Sequence, residues 1–175
     1  MTALQKKICM LGAVGVGKTS LVRRFVESLF SERYQATVGV KIDRKAVAVG
    51  DQALNLMLWD LQGETEQQRV RPEYLRGAAG YVLVVDATRR DTLDTALDLG
   101  RRAADVAPGA AIMLVLNKTD LAMERVISDA DLAGLATGGW RIGLTSARSG
   151  EGVDAVFRQL AEQMVGSGAT AVEDA

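Results

Sequence analysis

The chain has 175 residues, 48% hydrophobic and 25% charged, which fits one globular domain with a full-sized core and leaves no room for a second. Its formal net charge is −1 with acids and bases interspersed, so the basic footprint of a nucleic-acid binder is absent, and the arginine pairs at 23–24, 89–90 and 101–102 read as solvated faces. There is no histidine, which excludes imidazole catalysis and histidine metal sites and leaves only oxygen ligands for a metal.

Ile8-Cys9-Met10-Leu11 is an apolar run that reads as a first strand, about Lys6–Leu11. Its Cys9 is the only cysteine and acts as a small apolar residue, which argues against disulfides and for a reducing, cytoplasmic setting. Directly behind it stands Gly12-Ala13-Val14-Gly15-Val16-Gly17-Lys18-Thr19, and Leu21, Val22, Phe25, Val26 and Leu29 then mark one face of a helix over Lys18–Leu29. G-x-x-x-x-G-K-[ST] between a strand and a helix is a phosphate cradle. Backbone N–H groups and the positive end of the helix dipole meet there, and glycines let the chain approach an anion. Lys18 can reach β- and γ-phosphates, and the Thr19 hydroxyl can ligate Mg²⁺. Gly12, Val14 to Lys18, Thr19 and Ser20 form the candidate phosphate-binding set.

Val40–Val49 and Ala53–Trp59 flank Gly50-Asp51-Gln52, which predicts a hairpin and one antiparallel strand at a sheet edge. Tyr81–Val85 is continuously apolar, as a strand buried on both faces should be. Asp91–Val106 reads as a helix ended by Pro108-Gly109. The strand Ala111–Leu116 runs into Asn117-Lys118-Thr119-Asp120; Trp140–Leu144 and the amphipathic helix Val153–Met164 follow. The whole predicts an α/β fold: a mostly parallel six-stranded sheet with one antiparallel edge strand and helices on both faces. Residues 1–165 form the domain, and 166–175, opening with Gly166-Ser167-Gly168, form an expected flexible tail. Every candidate site residue falls at the carboxyl end of a strand, where open α/β sheets bind ligands.

N-K-x-D has a simple physical basis as a guanine reader. Asp120 offers two acceptor oxygens to the N1–H and 2-amino group of guanine, a donor pair that adenine lacks. Alone, NKTD also reads as a strand-ending turn, and the glycine-rich stretch as a turn of no function; together, and in order, they point to GTP or GDP.

The chain resembles the Ras-like small GTPases, and their Rab-type branch most closely, from Lys6 to Met164. The resemblance rests on the P-loop, the switch I segment Phe30–Gly39, the switch II opening Trp59-Asp60-Leu61-Gln62-Gly63-Glu64, Tyr74-Leu75-Arg76-Gly77-Ala78, the NKTD box, and Thr145-Ser146-Ala147 ahead of Gly150-Glu151-Gly152-Val153. It implies the P-loop NTPase G-domain fold. It also implies that Phe30 packs on the guanine, that Thr37 ligates Mg²⁺ in the triphosphate state and that Asp60 holds the metal. Gly63 would bond the γ-phosphate through its N–H, and Ala147, beside Ser146, would point its N–H at guanine O6. Lys118 and Asn117 belong to the base site. Lys18, Thr37, Gly63 and the residue at 64 would carry catalysis. Effector, exchange-factor and activating proteins would bind through the switches.

Three departures from the family pattern bear on function. Glu64 stands where a glutamine normally orients the attacking water, and Gln62 and Gln67 are the candidates to substitute for it. Val14 replaces the usual Gly or Ser of the P-loop; its branched side chain either crowds the γ-phosphate or packs on switch II. The end of the chain, Ala-Val-Glu-Asp-Ala, has no cysteine to prenylate, so no direct membrane anchor is expected, and the apolar runs are too short to span a bilayer. The resemblance then allows a bacterial member and a roadblock-type regulator. Slow GTP hydrolysis is the expected activity, with a GTP/GDP-binding scaffold of negligible turnover as the alternative and a metabolic nucleotide kinase a distant third.

Overall fold

The strand at the centre of the molecule explains why Tyr81–Val85 is apolar without alternation. In the computed structural model, which describes residues 2–169, β4 (Gly80–Asp86) is buried along its whole length between β1 (Leu4–Gly12) and β5 (Ala111–Asn117). Adding β2 (Val40–Val49), β3 (Gln52–Leu61) and β6 (Ile142–Leu144) gives one six-stranded sheet of order β2-β3-β1-β4-β5-β6. All neighbours are parallel except the β2–β3 hairpin. Because β1 lies between β3 and β4, the chain leaves it in opposite directions, and the crevice above its carboxyl end is where this architecture takes a ligand.

Period-2 alternation divides the core into two layers. Ile8, Met10, Val82 and Val84 face α1 (Lys18–Glu27) and α5 (Val153–Ala169), where Phe25 and Phe157 stack with ring centroids 4.2 Å apart. Cys9, Leu11, Tyr81, Leu83 and Val85 pack with Leu93 and Leu99 of α3 (Asp91–Val106), while Leu132 and Leu135 of α4 (Asp129–Thr137) flank that layer. A fully buried leucine is worth about 1.5–3 kcal/mol, so a one-residue slip of β1 against its neighbours would exchange two core layers. No helix among the described residues is long and apolar enough to cross a membrane.

The predicted fold stands, and several boundaries move. Helix α1 stops at Glu27, two residues before the predicted Leu29, because Ser28 adopts φ 55° and returns its N–H to Arg24 O at 3.0 Å. β6 begins only at Ile142, since Trp140 still donates its N–H to Leu135 O. α5 continues to Ala169, so the first residues of the expected tail are helical; 170–175 lie outside the described residues. Three elements are additional: the short α2 (Pro72–Leu75), a 3₁₀ turn (Ala122–Glu124) and α4.

Candidate functional site

The P-loop joins β1 to α1 and forms one wall of a cleft of about 410 Å³. Gly15 and Gly17 have φ 78° and 103°, and a Cβ on Gly17 would stand 2.3 Å from Asn117 Nδ2, so the loop needs glycine there for conformation and for space. Three consecutive loop carbonyls are fastened from outside. Arg89 Nη1 donates to Val14 O at 2.9 Å, Lys118 Nζ to Gly15 O at 2.8 Å and Asn117 Nδ2 to Val16 O at 3.0 Å. The N–H groups of Gly15, Gly17 and Lys18, by contrast, have no hydrogen-bond acceptor among the described residues. A row of unpartnered amides at a helix N-terminus is an anion receptor.

Lys18 completes it. Its ammonium is buried, donates to Gly12 O at 3.2 Å and Ala13 O at 2.9 Å, and burial pushes its pKa down to about 8 against the opposing pull of Asp60. A nearly buried cation on the cleft wall is placed to donate to a phosphate oxygen.

Beside it, three oxygen ligands converge. Thr19 Oγ1 donates to Asp60 Oδ2 at 2.6 Å and lies 2.7 Å from Thr37 Oγ1. Asp60 is 1% exposed, and its other oxygen, Oδ1, has no partner. Burial pushes its carboxyl pKa up, while the Thr19 bond and the charges of Lys18 and Lys41 pull the other way. No group of three His, Cys, Asp or Glu occurs among the described residues, so the protein offers one carboxylate and two hydroxyls rather than a full cage. That sparse, hard set fits Mg²⁺, which keeps waters and takes phosphate oxygens as its other ligands.

At the far end of the cleft, Phe30, Asn117, Lys118, Asp120 and Ala147 line one compartment. Ser146 stands behind it and donates from Oγ to Asp120 Oδ1 at 2.8 Å. The Ala147 N–H, expected to face guanine O6, donates instead to Asn117 Oδ1 at 3.2 Å. The reason is the Asn117 amide: its nitrogen is committed to Val16 O, which turns its oxygen toward Ala147 and the Thr145 hydroxyl. Lys118 is held by Asp86 at 2.8 Å; burial raises the Asp86 carboxyl, but the Lys118 and Thr88 hydrogen bonds outweigh it and leave the pKa below its ordinary value. Arg24 bonds Ala147 O at 2.8 Å and also Arg148 O, and Arg148 reaches Glu32 at 3.2 Å across the cleft mouth.

Glu64 requires a correction. Its carboxylate is turned out of the cleft into an ion pair with Arg102 of α3, accepts the Val70 N–H at 3.3 Å and lies 3.9 Å from Arg69. The physical cause is Arg102, a half-buried cation beside switch II that draws in the Glu64 carboxylate and also holds Asp98 at 3.1 Å. Gln67 is exposed and does not line the cleft; Gln62 and Gln68 do. The arginine pairs are solvated in part, with Arg89, Arg90 and Arg101 exposed as expected, but several members also hold partners. Arg24, Arg89 and Arg102 each fasten a site loop, and Arg90 forms a two-pronged bond to Asp131 of α4 at 2.8 and 3.0 Å. Val14 lines the cleft and packs on switch II, its Cγ2 lying 2.8 Å from where a Cβ on Gly63 would stand. Gly12, Val16 and Asp60 sit behind the cleft wall, and Gly15, Gly17, Thr19, Ser20, Thr37 and Gly63 line it.

The Ras family model matches residues 7–166 of the chain. The chain belongs to the Ras family of small GTPases. It is 32% identical over 161 residues to the Ras-related protein Rab-4B of Homo sapiens, covering 91% of this chain and 76% of that one. It is 30% identical over 166 residues to Rab-31 of Rattus norvegicus, covering 94% and 85%, and 32% identical over 161 residues to Rab-3 of Caenorhabditis elegans, covering 89% and 72%. These relatives place it on the Rab-like branch of the GTP-binding small GTPases.

Proposed function

We propose that this Ras-family protein is a Mg²⁺-dependent GTP/GDP switch that hydrolyses GTP slowly. The carrying observation is the convergence of Thr19 from the P-loop, Thr37 from switch I and Asp60 from the end of β3, with a buried carboxylate oxygen left over. These residues would hold Mg²⁺, which when bound would supply positive charge to neutralise the phosphates. Lys18 would bind the β- and γ-oxygens, the loop N–H groups the same phosphates, and Gly63 the γ-phosphate. Asp120, held by Ser146, would pair with the guanine donors, and Phe30 would cover the base. Thr37 lies at the shared site in this structure, so γ-phosphate would favour this arrangement of switch I and effector, exchange and activating proteins would read the difference.

Slowness is supported by two side chains. Val14 fills space beside Gly63, and Glu64 is tied to Arg102 where it cannot orient a water. The same two features favour the scaffold reading, in which nucleotide is held without turnover. Single-turnover phosphate release from GTP-loaded protein separates them: a measurable, Mg²⁺-dependent rate is expected, and none over many hours leaves only the scaffold.

A further inference from the structure

We propose that the carboxamide pair Gln62–Gln68 positions the attacking water in this protein, a role that the side chain at position 64 cannot fill; this rests on reading the protein as a GTPase. Both glutamines line the switch end of the cleft, beside Gly63, Thr37 and Lys18. Gln62 is pinned to switch I: its N–H donates to Gly39 O at 2.9 Å and its Oε1 accepts the Gly39 N–H at 3.2 Å, two residues beyond Thr37. Its Nε2 donates to Gln68 Oε1.

Gln68 is delivered by a small arch. Glu64 and Val70 close the base of the arch through Oε1 and N–H. Above them Thr65 and Gln68 bond reciprocally, Thr65 N–H to Gln68 O and Gln68 N–H to Thr65 Oγ1, both at 3.0 Å. The outward ion pair of Glu64 is thus what anchors the segment that brings an amide back over the cleft.

These bonds leave a free Oε1 lone pair and N–H on Gln62 and the Nε2 donors of Gln68 unused. A carboxamide can accept a hydrogen bond from water and donate one to a phosphate oxygen, which a carboxylate cannot. In the step, the water oxygen bonds to the γ-phosphorus as the bond from that phosphorus to the β–γ bridging oxygen breaks. The electron pair leaves on GDP and the water proton passes to a γ-phosphate oxygen. The glutamines orient and neither gain nor lose a proton, so their contribution is positioning.

The test is single-turnover GTP hydrolysis by the full chain carrying Gln62→Met, Gln68→Met, both, or Gln67→Met as an exposed control, with GDP and non-hydrolysable GTP release rates measured in parallel. Gln62→Met and Gln68→Met should each slow hydrolysis about tenfold or more, the double variant little further, with nucleotide release changed less than about twofold. Gln67→Met should match the parent. Gln68→Glu keeps the acceptor for Gln62 but loses the donor; its rate should be low at pH 7.5 and recover toward pH 5 as the carboxyl gains a proton, a profile that a purely structural role would not produce. A parent that hydrolyses while Gln62→Met and Gln68→Met match its rate overturns the proposal and leaves the GTPase reading intact. A parent with no turnover removes both.

Discussion

The ion pair between Glu64 and Arg102 should be a measurable source of stability for switch II. The Glu64 side chain is 7% exposed and that of Arg102 28%, so replacing Arg102 by Met strands a nearly buried carboxylate. Breaking a fully buried pair costs about 3–5 kcal/mol. Here Val70 N–H remains and Arg69, already 3.9 Å away, can move in, which lowers the expected cost to about 2 kcal/mol. Glu64→Gln should cost about 1–2 kcal/mol, because an amide nitrogen would face one of two donors. The double variant should cost less than the sum by about 1 kcal/mol, since each single change leaves the other partner unmatched. Asp98→Asn, at a partly exposed partner of Arg102, should cost under about 0.5 kcal/mol. The assay is urea unfolding of GDP-loaded protein at fixed free GDP and Mg²⁺, with hydrogen exchange over 64–76. Arg102→Met within about 0.5 kcal/mol of the parent and unaltered exchange in that segment would refute the latch.

Other outcomes follow from the same geometry. Val14→Gly should raise single-turnover hydrolysis about tenfold, equivalent to about 1.4 kcal/mol in the barrier, and adding Glu64→Gln should bring no further gain because that side chain lies outside the cleft. Asp120→Asn should shift preference from guanine toward xanthine nucleotides, whose 2-oxo group needs a donor; competition between GDP and XDP measures it, and an unchanged ranking would count against Asp120 as the base reader. Removing Mg²⁺ with EDTA should speed GDP release, read with a fluorescent GDP, and Asp60→Ala should abolish that dependence. Burial pushes the Cys9 thiol from 9.0 to about 12, so between those values the unfolded chain gives up its proton first. Stability should therefore fall with rising pH in that window, by up to about 1.4 kcal/mol per pH unit from this group. The GDP-bound Cys9→Ala protein should show a shallower alkaline loss in urea midpoints than the parent.

What the sequence made legible depended on whether a signal was local. The P-loop, the strand pattern and NKTD are contiguous, and alternating elements mark a mostly parallel sheet with an antiparallel edge strand, though not the order of its strands. Helix α4 was not legible, because none of its residues is fully buried and it carries no apolar stripe; its only mark was the Ser128/Asp131 capping box, with Ser128 Oγ on the Asp131 N–H and Asp131 on the Ser128 N–H. The direction of Glu64 was hidden for a different reason: its partner Arg102 is 38 residues away and looks like half of a solvated pair. Gln68 was missed because its place over the cleft comes from the reciprocal turn with Thr65, a tertiary arrangement with no pattern of its own.

Asn117 and Lys118 do more than border the base compartment. By holding Val16 O and Gly15 O they tie the end of β5 to the P-loop, and in the proposed switch this would couple the base end of the cleft to the phosphate end. A protein that pried at the loop around Asn117 would loosen the phosphate grip without touching it, and one that wedged under the P-loop would slacken the hold on the base. In the proposed switch either handle would open the whole cleft, giving a regulator two places from which to release one nucleotide.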